Sequence, residues 1–258
     1  MDENRIKITW YGTASVRIAS ENSQLLIDPF IPFPDSRVKI PADAYSDCRH
    51  ILVSHGHYDH IGSIREIVRS DTAVYCTKAP YNTLCRKGVR KRNLHLIKAG
   101  AVITVGDFKI TAYKGNHIRV NGWDCLKALC SRRVRKNYRG IMKKVMKFTS
   151  CLEKKETLCY LVEAFGKRIL MLGSLALADG ITYPVGADLA FFPYQGSDKL
   201  CETAEEIYER LMPKAVLLTH FDDTFPPFST EVDTSEIEEQ LKGRTRVYKL
   251  RQGSSIII

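Results

Sequence analysis

Between Val53 and His60 the chain reads Val-Ser-His-Gly-His-Tyr-Asp-His, directly after the apolar run Ile51-Leu52. Three of the seven histidines and an aspartate fall within six residues. The spacing predicts His55 and His57 on one side of an extended loop, where they share one ion. Asp59 and His60 then turn toward a neighbouring position. Imidazole and carboxylate together suit zinc, and also manganese or iron. A cluster of this kind needs a fold that fixes the loop at a strand end and brings further ligands to it.

The remaining sequence offers strands for that purpose. Ile6, Ile8 and Trp10 alternate with polar neighbours, as do Val16 and Ile18, and Leu25-Leu26-Ile27 runs into Asp28-Pro29. His50 to Ser54 reads as a short buried strand with the cluster on the loop at its C-terminal end, followed by a helix through Ile61–Arg69. Further strands are expected at Ala73–Cys76, Leu94–Ile97, Val102–Val105 and Phe108–Tyr113, with a helix near Ala79–Arg86. Thr157–Phe165 and Arg168–Leu172 predict a hairpin around Gly166. A strand at Asp188–Phe192 precedes a helix opened by the capping box Thr203-Ala204-Glu205-Glu206. The strand Ala215–Thr219, a helix near Ser235–Leu241 and two terminal strands complete the chain. Strands first, then strand–helix alternation, predicts an α/β architecture of two packed sheets with helices outside, in one domain.

At 258 residues the chain is long enough to bury a core without covalent staples. None of the eight cysteines stands in a Cys-x-x-Cys pair, which argues against a zinc ribbon or a redox motif. No run approaches the length of a membrane span, and Met1–Arg5 lacks the apolar core of a signal peptide, so a cytoplasmic location is expected. The formal charge of +10 is unevenly placed. Nine basic residues and no acidic one lie between Lys127 and Lys147.

The motif "HGHYDH" after the strand "ILVS", with "ITWYGTASVRI" and "LLIDPF" before it, resembles the metallo-β-lactamase superfamily. The similarity is greatest to its lactonase-type branch, which includes ascorbate-6-phosphate lactonase and N-acylphosphatidylethanolamine phospholipase D. The resemblance covers nearly the whole chain and implies an αββα sandwich, two mixed sheets flanked by helices, with the metals at one edge. It also implies a metal set. His55, His57 and His117 form a first site, and Asp59, His60 and His220 contribute to a second. Asp28 and Thr13 match positions beneath the site.

The family pattern asks for a bridging aspartate after the glycine that ends a hairpin strand, and the chain has Gly173-Ser174 there. A hydroxyl at Ser174 is a poorer ligand than a carboxylate and cancels no charge between two dications. The second site is therefore expected to bind metal more weakly than the first. Asp179 and Asp222 are alternative carboxylates for it, or else turn formers and partners to a ligating histidine.

On a helical projection Arg132, Lys136, Arg139, Lys143 and Lys147 form one stripe, with Val134, Tyr138, Ile141, Val145 and Phe148 opposite. This predicts an amphipathic basic helical insertion at about 123–150. Its readings are a wet face, a lid that draws in anionic substrate through Arg132, Lys136 and Arg139, or a contact with an anionic membrane surface. Nucleic acid is a weaker reading, since no base-stacking aromatic motif accompanies the charges.

The function expected from the resemblance is metal-dependent hydrolysis. A metal-bound hydroxide attacks an ester, lactone or phosphoester of a small anionic substrate, with one or two zinc ions, Asp59 orienting the hydroxide and Tyr194 as general acid. Two other readings stay open on the sequence. One is a phosphodiesterase or phospholipase working on lipid or nucleic acid through the basic helix. The other is a catalytically silent metal-binding relative.

Overall fold

The computed structural model describes residues 4–36, 38–40, 42–118, 138–151, 154–224, 226 and 229–258. Its strands form two seven-stranded sheets. The first contains β1 (Lys7–Gly12), β2 (Ser15–Ala19), β3 (Gln24–Ile27), β4 (His50–Leu52), β5 (Ala73–Cys76) and β6 (Leu94–Leu96) in chain order, with β14 (Ser255–Ile257) beside β1. The second runs from β7 (Val102–Val105) through β8 (Phe108–Lys114), β9 (Leu158–Ala164), β10 (Lys167–Met171), β11 (Leu189–Pro193) and β12 (Ala215–Thr219) to β13 (Arg246–Lys249).

Both sheets are mixed in the same way. Pairing is antiparallel from β14 to β3 and from β7 to β10, then parallel from β3 to β6 and from β10 to β13. Within the parallel half of the second sheet, β11 and β12 are buried throughout and therefore read as apolar runs. One large core contains Ile8, Trp10 and Ile18 of the first sheet together with Ile110, Val162 and Leu170 of the second. A second cluster joins Leu26, Ile51 and Val74 to the helical residues Ile61, Ile64 and Leu84.

The helices are α1 (Tyr58–Ile61), α2 (Ile64–Ile67), α3 (Lys78–Arg86), α4 (Tyr138–Thr149), α5 (Leu200–Leu211) and α6 (Ser235–Gln240). Two expectations change here. The helix predicted at Ile61–Arg69 is instead two single turns, and the first begins inside the histidine cluster, with His57 at its N-cap position. Gly62 sits at the break, so close to α1 that an added Cβ would lie 2.5 Å from the Tyr58 carbonyl oxygen. Helix α5 begins at Leu200, and the Thr203 N–H already bonds the Lys199 carbonyl, so Thr203 lies inside the helix and is not its cap. Among the described residues, no helix is long and apolar enough to cross a membrane.

Strand ends collect at one edge. β3 runs into Asp28, β4 into Ser54-His55, β10 into Gly173-Ser174 and β12 into His220. The sheets are stitched together there by Leu158 N–H donating to the Ser54 carbonyl (2.8 Å) and by the Tyr160 hydroxyl donating to the Val53 carbonyl (2.6 Å). Ligand sites of open parallel sheets occupy this position, beyond the carboxyl ends of the strands.

Candidate metal centre

Two groups of three side chains converge at this edge: His55, His57 and His117, and Asp59, His60 and His220. Within each group the ligand atoms lie within 4.8 Å of one another. The turn of α1 produces the division. His55 and His57 precede the helix in extended backbone, and the first helical turn swings Asp59 and His60 to the other group. The sequence placed all four on a loop. The helical turn is what separates them.

Four of the five rings have one nitrogen fixed and the other left for an ion. His117 Nδ1 bonds the Ile118 carbonyl at 2.8 Å, so Nε2 is its ligand atom. His220 Nδ1 bonds Gln195 Oε1 at 2.7 Å, which directs Nε2 toward Asp59 Oδ2, also at 2.8 Å. His60 Nδ1 lies 2.8 Å from Asp28 Oδ2, and its Nε2 is 3.4 Å from Asp59 Oδ2. The Ser54 hydroxyl lies 3.0 Å from His55 Nδ1. His55 Nε2 and His57 Nδ1 then face each other at 3.1 Å. Ligands about 2.1 Å from a tetrahedral zinc are separated by about 3.4 Å, so this pair already has nearly the spacing required. Partners that hold the non-ligating nitrogen are what metal-binding histidines usually have.

The electrostatics fit a cation. Burial, reinforced by the neighbouring rings of His60, His57 and His117, keeps His55 neutral, the form that ligates. Burial opposes charge on His60, but Asp59 and Asp28 outweigh it and hold the ring protonated up to about 10. Burial likewise works against the Asp59 carboxylate, yet His60 and His220 keep it ionised well below the usual carboxylate range. Two carboxylates thus enclose the His60 position, and positive charge is favoured between them.

The other expected residues divide. Ser174 lines the cavity, but its hydroxyl accepts the Ile118 N–H at 3.1 Å and so braces the loop that carries His117. Asp28 lies beneath the site, as expected; it is fully buried, and Oδ1 accepts the Ser54 N–H at 2.8 Å. Thr13 is buried too, and its carbonyl accepts the N–H of His220, a residue with φ of 64°. Asp222 is no replacement ligand, because its carboxylate accepts the Thr13 N–H at 2.9 and 3.1 Å. Asp179 lies in an exposed turn. Tyr194 does not fit a general acid. It is 2% exposed, it bonds Cys201, and Gln195 takes its place in the cavity wall. Gln195 gave no signal of its own in the sequence, and Ser54 only its place beside His55.

A cavity of about 540 Å3 opens over both groups, and Phe148 and Thr149 of α4 form part of its wall. The helix predicted within the basic insertion is therefore present at the rim. Ile141, Val145 and Phe148 are half-buried, while Lys143 and Lys147 are exposed. The Phe148 ring packs 5.4 Å from Tyr58 and 6.0 Å from Phe33. Lys144 is turned inward, where it bonds Asp35 Oδ2 at 2.5 Å and the Pro226 carbonyl. Arg132 and Lys136 lie outside the described residues. Arg139 falls in the first turn of α4, with its side chain outside them as well.

Comparison with known proteins agrees with this geometry. Among curated relatives, a UPF0173 metal-dependent hydrolase of Rhizobium etli is 32% identical over 117 residues, 43% of this chain and 48% of that protein. The match thus spans about half the length of that relative. Another of that name, from Haloarcula marismortui, is 24% identical over 247 residues, 92% of each chain. Among solved structures, Igni18, a metallo hydrolase of Ignicoccus hospitalis, superposes with a TM-score of 0.69 at 17% identity over 98% of both chains. YhfI of Bacillus subtilis, a metallo-β-lactamase fold protein, gives 0.63 at 17% identity, with 98% of this chain and 99% of that one covered. These two share the fold. The model of the beta-lactamase superfamily domain matches residues 7–220, and the chain belongs to that superfamily.

Proposed function

We propose that the chain is a metal-dependent hydrolase that cleaves an ester, lactone or phosphoester bond of a small anionic substrate, with zinc as the metal. The observation that carries this reading is the commitment of the second nitrogen of His55, His60, His117 and His220 to fixed neighbours, which leaves two convergent ligand sets. When bound there, a divalent metal supplies an activated water at neutral pH and polarises the scissile group.

The protein's own part follows from the geometry. Asp59, ionised and held by His60 and His220, orients a water molecule. Phe148 and Ile118 give the cavity wall apolar surface, which strengthens the charge interactions beside it. With Tyr194 directed elsewhere, the leaving group takes its proton from another donor or from water. Helix α4 acts as a rim whose exposed lysines draw anions toward the cavity.

The test is hydrolysis of a panel of esters, lactones and phosphoesters by protein reconstituted with zinc, manganese or iron, alongside His117→Ala. One substrate class should turn over only with metal. His117→Ala should lower that rate by about a hundredfold or more, because losing a ligand costs at least as much as losing its outer partner. No turnover of any class with any metal would leave the silent-relative reading in its place.

A further inference from the structure

Beside the metal cavity lies a second and larger cleft of about 960 Å3. It is walled by α3, the turn that follows, the end of α4 and Lys154. Five cations line it, Lys78, Arg86, Lys87, Lys91 and Lys154, and among the described residues no carboxylate does. Ion pairs among the described residues use other cations, such as Arg17, Arg49, Lys144 and Lys214. Three of the five are steadied by uncharged groups. Lys78 Nζ lies 5.4 Å above the Tyr81 ring, Arg86 donates to Thr83 Oγ1 at 3.1 Å, and Lys87 approaches Ser150 Oγ at 3.3 Å. Glu156, near the start of α3, accepts the Ala79 N–H at 2.8 Å.

A concave wall carrying one sign of charge concentrates anions. The chemistry of the remaining lining narrows the ligand. Asn82, Thr83, Thr149 and Ser150 offer an amide and hydroxyls, and among the described residues no large aliphatic side chain lines the cleft to take an acyl chain. A volume of about 960 Å3 is that of a small-molecule site. The cleft also adjoins the metal cavity. Thr149 lines both, and Lys87 of the cleft lies 5.7 Å over the ring of Tyr58, which lines the metal cavity.

We infer that this cleft is the anion subsite of the substrate: it takes a small ligand bearing two or more phosphate-type groups and presents the rest of the molecule across Thr149 to the two ligand groups. The inference rests on the hydrolase reading for its link to catalysis, while the binding itself does not depend on turnover.

The probe is inorganic pyrophosphate, titrated calorimetrically at low salt into the metal-loaded protein. Three forms are compared: wild type, the combined variant Arg86→Gln, Lys91→Gln, Lys154→Gln, and His57→Ala. The cleft variant should keep the wild-type melting temperature and bind about tenfold more weakly or worse, as expected when charge-assisted hydrogen bonds are removed. His57→Ala should bind as wild type does. Unchanged affinity in the cleft variant, or loss confined to His57→Ala, would place the anion on the metal and overturn the inference. Tighter binding of a single-stranded oligonucleotide or of phosphatidylserine vesicles, lost in the cleft variant, would overturn the small-ligand assignment. Pyrophosphate binding in the cleft without hydrolysis of any substrate class supports the cleft and sinks the hydrolase reading. Hydrolysis with no pyrophosphate binding does the reverse.

Discussion

Asp28 shows how much of a metal site lies outside its ligands. One oxygen accepts the Ser54 N–H and the other faces His60 Nδ1, so a single buried carboxylate fixes both the strand end and a ring. Asp28→Asn keeps the shape and removes the charge. It should weaken metal binding at the Asp59, His60, His220 group by about 10- to 100-fold while the protein stays folded, as measured by competition with a chromophoric chelator. An unchanged affinity would mean that His60 is oriented by packing alone. At this scale the convergence of the candidate ligands was legible in the sequence, since His-x-His-x-Asp-His crowds metal-type side chains at a strand end. The partners were not. Nothing in the chain pairs Gln195 with His220 or the Ile118 carbonyl with His117, because those contacts are created by where strands end. Tyr194 was misjudged for a related reason: it shares a loop with Gln195, and only the backbone direction there decides which of the two reaches the cavity.

Among the elements, the turn after β10 packs closely on backbone. A Cβ on Gly173 would stand 2.3 Å from the Leu158 carbonyl oxygen and 3.0 Å from Ser54 Cβ. The first of those neighbours is backbone and cannot give way cheaply. Gly173→Ala should therefore destabilise the protein by about 1–3 kcal/mol, the usual penalty for overpacking, read from chemical denaturation. No measurable change would show that the β10–β9 approach is loose. Helix α4 offers a second case. Its Phe148 ring meets both Tyr58 and Phe33, and aromatic pairs of this kind are worth about 0.5–1.5 kcal/mol each beyond area burial. Phe148→Ala should cost stability on that order and also raise KM, since the same ring walls the cavity. A change in stability with no change in KM would make the helix a mere brace. The helix was legible from its opposed apolar and basic stripes. The break at Gly62 was not, because it depends on how closely Gly62 folds back on Tyr58.

Across the whole molecule, ligands from both sheets meet at one edge: His55, His57, Asp59 and His60 follow the first sheet's β4, and His117 and His220 follow β8 and β12 of the second. Ions held there would tie the sheets together, so metal should stabilise the native state by mass action. Chelation should lower the melting temperature, and re-addition of zinc should restore it. Identical melting curves with and without chelator would mean that no ion bridges the edge. The two-sheet architecture could be read from strands followed by strand–helix alternation, but the matched pairing order of the two sheets could not, since partners far apart in sequence leave no local pattern. The two ligand groups are unequal. Ser174 spends its hydroxyl on the Ile118 N–H, so the Asp59, His60, His220 group lacks the charged bridge that would hold a second dication firmly. Elemental analysis of protein dialysed against dilute zinc should find about one tightly held ion per chain in the wild type and about two in Ser174→Asp, the number a bridged pair holds. Two tightly held ions in the wild type would contradict the account.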